Sequence, residues 1–340
     1  MCGGVISPPL VVIASFCEGE RGGQGVRGQA SAGPDGQGCG ICRAGASGTG
    51  APVVDSPGGS AIVNGANVPM EGATVALSID IPFPHALALW AGGKIVHEQG
   101  DLSKRYPLAS VTKLCTAWSA LVAVERGLCS LDDPAGPEGS TIRHLLAHAS
   151  GLPYESREPQ FSVAKRRVYS NAGFEVLGEV LEEASGSPIE RWIEEAVFEP
   201  LGMTTAELVG SPAWAGVASV EDLLILGREM LEPTLISPEL AQEAMTPQFP
   251  ELVGVVPGYG RHAPCPWGLG IEIRGNKNPH WTGPSFPAGT VGHFGVSGSF
   301  LWVDRTHGAI CAFLGTEKFG AWHKEHWSAM NEELLALILR

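Results

Sequence analysis

Short runs of apolar residues occupy both ends of the region that follows residue 70. They lie at 74–79, 86–90 and 95–97, and again at 267–273, 299–303 and 309–314. Runs of this length, bounded by turn residues, are typical of strands. Gly92 and Gly93 separate two of the runs, and residues 304–308 separate another two. Each of these pairs is therefore predicted to form an antiparallel hairpin.

Between the two groups of strands, apolar residues recur at helical spacing, and Ser, Pro or Gly mark the ends of each stretch. Helices are predicted at 110–127, 142–148, 171–184, 188–197 and 321–340, with N-terminal capping by Ser187, Ser219 and Ser237. Strands at both ends of a helical middle predict an α+β fold. We expect an antiparallel sheet domain flanked by helices, with a large helical insertion.

These patterns predict the domain organisation. Residues 1–70 are rich in Gly, Ser, Ala and Pro, so they bury too little apolar surface to offset the entropy of ordering and are predicted to form a disordered tail. Residues 71–340 are predicted to form the folded domain. Its sheet subdomain would comprise residues 71–109 and 258–340, and its helical subdomain residues 110–257. We expect catalytic residues in the cleft between the two.

Charge and hydropathy narrow the functional classes. Acidic residues outnumber basic residues 36 to 22, and no cluster of Lys and Arg could follow a phosphate backbone, so we expect no nucleic-acid partner. The apolar run at 5–16 contains two prolines and is too short to cross a bilayer. It also lacks the basic segment of a secretory signal. We expect no transmembrane segment and favour a cytoplasmic location over secretion; no pattern indicates an oligomeric state.

Two pairs of potential metal ligands lack the spacing of a metal site. Cys39 and Cys42 form a lone C-x-x-C without a second ligand pair. His144 and His148 lie four residues apart on one helix face, but the glutamate of H-E-x-x-H is absent and the intervening leucines indicate packing. We expect neither a metal nor another cofactor.

Ser110 and Lys113 are the strongest candidates for chemistry. They lie three residues apart at the start of the apolar helix, and this spacing places them on one helix face. A serine hydroxyl is a weak nucleophile until a base takes its proton, and a desolvated lysine is able to do so. A capping serine beside a solvated lysine would produce the same short pattern.

Two further motifs follow in order. They are Y-x-N at 169–171 and H-x-G at 293–295, after S-x-x-K at 110–113. The ordered set resembles the penicillin-recognising serine hydrolases, closest to the class C β-lactamase and serine esterase group. Segments 131–134, 142–153, 198–203 and 267–270 are similar to the same family. The resemblance covers residues 85–340 and implies a β-lactamase/transpeptidase-like fold. It also implies that the protein hydrolyses a small-molecule ester or amide through an acyl-enzyme.

The resemblance also implies roles for single residues. Ser110 would be the acylated nucleophile, and Lys113 either its proton acceptor or the cation that tunes a partner. Tyr169 would shuttle the proton, which requires that Lys113 lower the pKa of the phenol from ~10. Asn171 would bind the acyl side of the substrate and steady Lys113. If these two residues have no catalytic role, Tyr169 would be a half-buried aromatic residue of a loop and Asn171 would cap the following helix.

The last motif would bind the substrate. The backbone N–H groups of Ser110 and Val296 would form an oxyanion hole, and Gly295 would let the strand approach the substrate closely. His293 stands where β-lactamases of this family have the lysine of K-T-G. A neutral imidazole holds a substrate carboxylate weakly, although it should gain a proton below pH ~6.5.

A histidine at position 293, in place of the lysine of K-T-G, favours an esterase-like activity over that of a true β-lactamase. A β-lactamase, a D-alanyl carboxypeptidase and a non-catalytic binding module on the same fold are the alternatives.

Overall fold

The structure is a computed structural model that describes residues 76–340. The predicted tail of residues 1–70, together with Cys39 and Cys42, lies outside the described residues. The secondary structure of the described part begins with the hairpin that the glycine pair predicts: His85–Ala91 (β1) and Lys94–Gln99 (β2) flank Gly92 and Gly93, both at positive φ. The strand predicted at 74–79 is wrong for its described residues, since 76–84 form no strand.

Eight helices and nine further strands complete the described chain. The strands are Tyr106–Pro107 (β3), Glu207–Leu208 (β4), Gly216–Ala218 (β5), Gly254–Val256 (β6), Gly260–His262 (β7), Glu272–Ile273 (β8), Val291–Gly295 (β9), Ser299–Asp304 (β10) and Ala309–Gly315 (β11). The helices are Thr112–Glu125 (α1), Ile142–Leu146 (α2), Ala172–Ser185 (α3), Ile189–Ile193 (α4), Glu199–Leu201 (α5), Val220–Leu231 (α6), Pro238–Ala244 (α7) and Ala321–Ile338 (α8).

The main sheet has the antiparallel order β2-β1-β11-β10-β9-β8. Helices cover both faces, because successive residues of the central strands enter different cores. Leu301 and Val303 join the core formed with α1 and α6, whereas Phe300 and Trp302 join the core formed with α8. The predicted α+β fold, with an antiparallel sheet and flanking helices, is therefore confirmed.

Local sequence determines some helix ends. Ser219 caps α6 reciprocally with Asp222, and Ser237 caps α7 by accepting from the N–H of Leu240 at 3.4 Å. The cap predicted at Ser187 is wrong. There the Glu182 side chain, from the preceding helix, accepts the N–H of Ile189 at 2.9 Å. The helix predicted through 197 is also interrupted, since α4 passes into a π-helical turn at Glu194–Phe198.

The strand predicted at 267–273 is present only as β8, because a glycine in its first part has a backbone conformation that a strand does not adopt. Gly270 has a positive φ, and a side chain there would meet Ala117 on α1. Every helix within residues 76–340 is too short or too polar to span a bilayer.

Candidate active site

Ser110 lies immediately before α1, in the 3₁₀ turn Ala109–Val111. Tertiary bonds hold this turn from two sides. The N–H of Leu108 donates to the Gly216 carbonyl at 2.8 Å, and the Ser299 hydroxyl donates to the Leu108 carbonyl at 2.8 Å. Ala109 has φ of +46°, a strained value for a residue with a side chain. The fold thus fixes a sharp turn immediately before Ser110.

Gly295 brings the third motif against this turn. A side chain at Gly295 would place its first carbon 2.4 Å from the Leu108 carbonyl oxygen and 3.0 Å from the Ala109 side chain. Sequence analysis predicted that this glycine allows close approach of a substrate. The structure shows that the same glycine contacts the turn that carries Ser110. The close approach of a substrate stays a prediction.

Val296 follows Gly295 at the end of β9 and is 43% exposed. Its carbonyl accepts the N–H of Phe319 at 3.0 Å. In the described part of the chain, its own N–H makes no backbone hydrogen bond. This N–H and that of Ser110 therefore belong to two segments that Gly295 holds in contact.

Lys113 is fully buried in the first turn of α1. Its Nζ donates to Asn171 Oδ1 at 2.6 Å and to the Ala213 carbonyl at 2.8 Å. No carboxylate of residues 76–340 lies within ion-pair distance of it. Burial lowers the pKa of Lys113 to about 7, although the negative charge of Glu175 offsets this in part. A large fraction of the amine is therefore neutral near physiological pH.

Asn171 occupies the N-cap position of α3, but its side chain makes no capping hydrogen bond. The neighbouring Ser170 hydroxyl performs that task, accepting the N–H of Gly173 at 2.8 Å and donating to the Pro153 carbonyl at 2.6 Å. The Asn171 amide oxygen is thereby available to Lys113.

Tyr169 lies next to Lys113. Lys113 Nζ lies over its ring, 4.9 Å from the centroid. Burial raises the pKa of Tyr169, and the nearby Ser110 hydroxyl only partly opposes the rise. This is opposite to the direction expected from sequence, because the effect of burial exceeds that of any neighbouring charge. The phenol is protonated at neutral pH.

His293 lies in the buried interior of the site, with its ring centroid 5.8 Å from that of Tyr169. Its Nδ1 donates to the Phe294 carbonyl at 2.7 Å, which leaves Nε2 as an acceptor with no described partner. Burial, followed by the charge of Lys113, lowers the pKa of His293 to about 4. The expectation that it gains a proton below pH ~6.5 is therefore wrong.

Three further residues of this site lie outside the three sequence motifs. The Ala213 carbonyl binds Lys113, the Trp267 ring lies 5.6 Å from His293, and the His148 ring lies 4.7 Å from Tyr169. The sequence did single out His148, but only as one of two histidines four residues apart that were considered as metal ligands. The structure separates that pair, because the His144 ring stacks on Phe249, 4.6 Å away. No group of three potential metal ligands occurs within residues 76–340.

Comparison with known proteins identifies the family. The β-lactamase family model matches residues 85–332. The crystal structure of the β-lactamase Mb2281c from Mycobacterium bovis is 44% identical, with a TM-score of 0.74, and the match covers 76% of this chain and 96% of that one.

Curated relatives include an esterase and a penicillin-binding protein. Esterase EstB of Burkholderia gladioli is 28% identical over 219 residues, which cover 58% of this chain and 55% of that protein. Penicillin-binding protein 4* of Bacillus subtilis is 30% identical over 131 residues, 29% of each chain. The matched segments thus span less than two thirds of either relative. Together with the family match and the fold, these similarities show that the chain belongs to the β-lactamase-fold family of serine hydrolases.

Proposed function

We propose that this protein cleaves an ester or amide through an acyl-enzyme on Ser110, with uncharged esters preferred over β-lactams. The observation that carries the proposal is the state of Lys113. A neutral amine has two N–H groups and one lone pair. Asn171 Oδ1 and the Ala213 carbonyl accept both N–H groups, so the lone pair is free to take the proton of Ser110.

The reaction follows from this arrangement. Ser110 Oγ attacks the substrate carbonyl carbon while its proton passes to Lys113 Nζ. The N–H groups of Ser110 and Val296 hold the resulting oxyanion. Tyr169, protonated at rest, gives its proton to the departing oxygen or nitrogen and regains one from Lys113. Water then attacks the ester of Ser110 by the reverse route and releases the acid.

The preference for uncharged substrates is based on His293. A histidine with a pKa of about 4 supplies no cation for a substrate carboxylate at neutral pH. A β-lactamase or a carboxypeptidase acting on a D-alanyl carboxylate benefits from such a cation, whereas an esterase does not require one.

Labelling and turnover test the proposal. Intact mass spectrometry after incubation with a fluorophosphonate should show one adduct, on Ser110. Hydrolysis of p-nitrophenyl butyrate should be lost in Ser110→Ala and retained in Ser119→Ala, a matched control at a buried serine of α1. A β-lactam and a D-alanyl-D-alanine peptide, assayed in parallel, should react more slowly than the ester.

Absence of an adduct on folded protein, or turnover that survives Ser110→Ala, would contradict the acyl-enzyme. Stoichiometric retention of the ester without turnover would favour a binding module.

A further inference from the structure

His148 is a buried residue of this site without an assigned role. It follows α2, is 1% exposed and has φ of +53°. This conformation is unfavourable for a residue with a ring and persists where the surroundings require it. A glycine would adopt it without strain. The histidine side chain is therefore expected to make interactions that offset the strain.

His148 binds the chain on both sides of Tyr169. Its carbonyl accepts the N–H of Val168 at 2.9 Å, and its ring Nδ1 accepts the N–H of Ser170 at 3.2 Å. Tyr169 is the residue between these two bonds. One residue thus fixes the backbone before and after the tyrosine.

The imidazole also packs against the phenol. Its centroid lies 4.7 Å from that of Tyr169, 5.1 Å from that of Trp267 and 5.4 Å from that of Phe174. Because the other two aromatic rings contact the imidazole, a shift of the imidazole would require their movement as well. The imidazole is therefore a rigid support for Tyr169.

The protonation state is compatible with this role. Because Nδ1 accepts a hydrogen bond, the neutral ring carries its proton on Nε2. Burial lowers the pKa of His148 well below its usual value, and the basic side chains of Lys113, His293 and Arg167 act in the same direction whenever they are protonated, against Glu272. The bond from Ser170 thus persists at neutral pH.

From this geometry we propose that His148 is a positioning residue that holds the backbone and ring of Tyr169 beside Ser110 and Lys113. The inference rests on the proposed function, in which Tyr169 transfers a proton. Phenylalanine at this position would pack similarly, but it would leave the buried N–H of Ser170 unpaired.

A double-mutant cycle of His148→Gly and Tyr169→Phe tests the proposal with the full chain and p-nitrophenyl butyrate. Glycine keeps the backbone conformation and removes the ring. We expect His148→Gly to lower kcat roughly 30-fold while KM changes by less than about three-fold, because misplacement of a reacting group affects the chemical step. The double variant should have the kcat of Tyr169→Phe, since His148 acts only through the tyrosine.

Two further variants serve as controls. His148→Asn, which tolerates positive φ and keeps an acceptor near Nδ1, should recover part of the lost kcat. His144→Asn, at the other histidine of the pair, should change kcat less than about two-fold. Circular dichroism establishes that each variant is folded.

The outcomes separate this inference from the proposed function. A wild-type protein without Ser110 labelling or turnover would reject both. If Ser110 is labelled but Tyr169→Phe or His148→Gly leaves kcat unchanged, or if their losses multiply in the double variant, His148 has no positioning role. If the glycine variant does not fold, ¹⁵N NMR of the wild type decides: the Nε2–H tautomer of His148 is expected, and an Nδ1–H tautomer or a cation near pH ~7 would overturn the proposal.

Discussion

Two buried lysines, Lys113 and Lys277, illustrate how one residue type acquires two roles. Both side chains are shielded from solvent. Lys113 has an amide oxygen and a backbone carbonyl as partners. Lys277 has two carbonyls and also the carboxylate of Glu272, at 3.0 Å. The difference is one buried negative charge.

The Glu272 cluster shows what that charge does. Burial alone would raise the pKa of Glu272, but Lys277, His280 and the Trp281 N–H bring it well below its usual value. The carboxylate stays ionised and neutralises the ammonium of Lys277. Lys113 has no such partner, so its pKa falls. A buried lysine with a carboxylate stabilises structure, whereas one with neutral acceptors is suited to act as a base.

The largest effect is expected from removing the base. Lys113→Met should lower kcat/KM for p-nitrophenyl butyrate by roughly a thousand-fold or more. Lys113→Arg should be about equally inactive, because a guanidinium cannot be deprotonated. The arginine variant distinguishes the two roles that the sequence left open: substantial activity in it would mean that Lys113 acts as a cation.

The same residue should link stability to pH. The pKa of Lys113 is lower when folded than when unfolded, so its contribution is present above the unfolded value of ~10.4 and is lost as pH falls towards about 7. Lys113→Met removes this term. The unfolding free energy of wild type relative to Lys113→Met should therefore rise by roughly 3–5 kcal/mol between pH ~7 and ~10. Urea titrations across this range measure it, and a constant difference would contradict the depressed pKa.

Removing the carboxylate from the second lysine should destabilise the fold. Glu272→Gln leaves a buried ammonium without its counter-charge, so we expect a loss of about 3 kcal/mol in unfolding free energy. Glu272→Met combined with Lys277→Met should recover most of it. If the single variant unfolds at the same urea concentration as wild type, the pair of Glu272 and Lys277 does not stabilise the fold.

Giving Lys113 a carboxylate should make it resemble Lys277. Asn171→Asp places a negative charge at the atom that accepts from Lys113 Nζ, which should raise the pKa of Lys113 by about one unit or more. Because the neutral amine is the base, kcat/KM should fall roughly ten-fold near pH ~7 and recover near pH ~9. The pH profile tests this, and an unchanged midpoint would mean that another group controls the rate.

The smallest effect is expected at His293. His293→Lys adds a cation near the substrate position, so acylation by an anionic β-lactam should rise roughly five-fold while ester turnover changes less than about three-fold. In wild type, a His293 pKa of about 4 means that β-lactam acylation should gain nothing between pH ~7 and ~5 from this residue. Equal β-lactam rates for folded wild type and variant would show that His293 does not face the carboxylate.

The sequence predicted those elements whose patterns are local. The hairpin at Gly92 and Gly93, the core strands β10 and β11 and the helix α8 follow from runs and turns within a few residues of each other. The predicted cap at Ser187 is wrong because the group that caps this helix is not local. Its place is taken by Glu182, a side chain of the preceding helix that no local pattern identifies.

The candidate site divides in the same way. Spacing and motif order in the sequence predicted roles for Ser110, Lys113, Tyr169, Asn171 and the 293–296 segment, and these roles stay predictions. Family membership confirms the class of protein. Only the tertiary structure decided their electrostatics. The pKa of Lys113 falls and that of Tyr169 rises because both are buried. Partners such as the Ala213 carbonyl and His148 come from segments with no motif of their own. Burial and long-range partners depend on how distant segments pack, so they set the chemistry of residues that the sequence could only name.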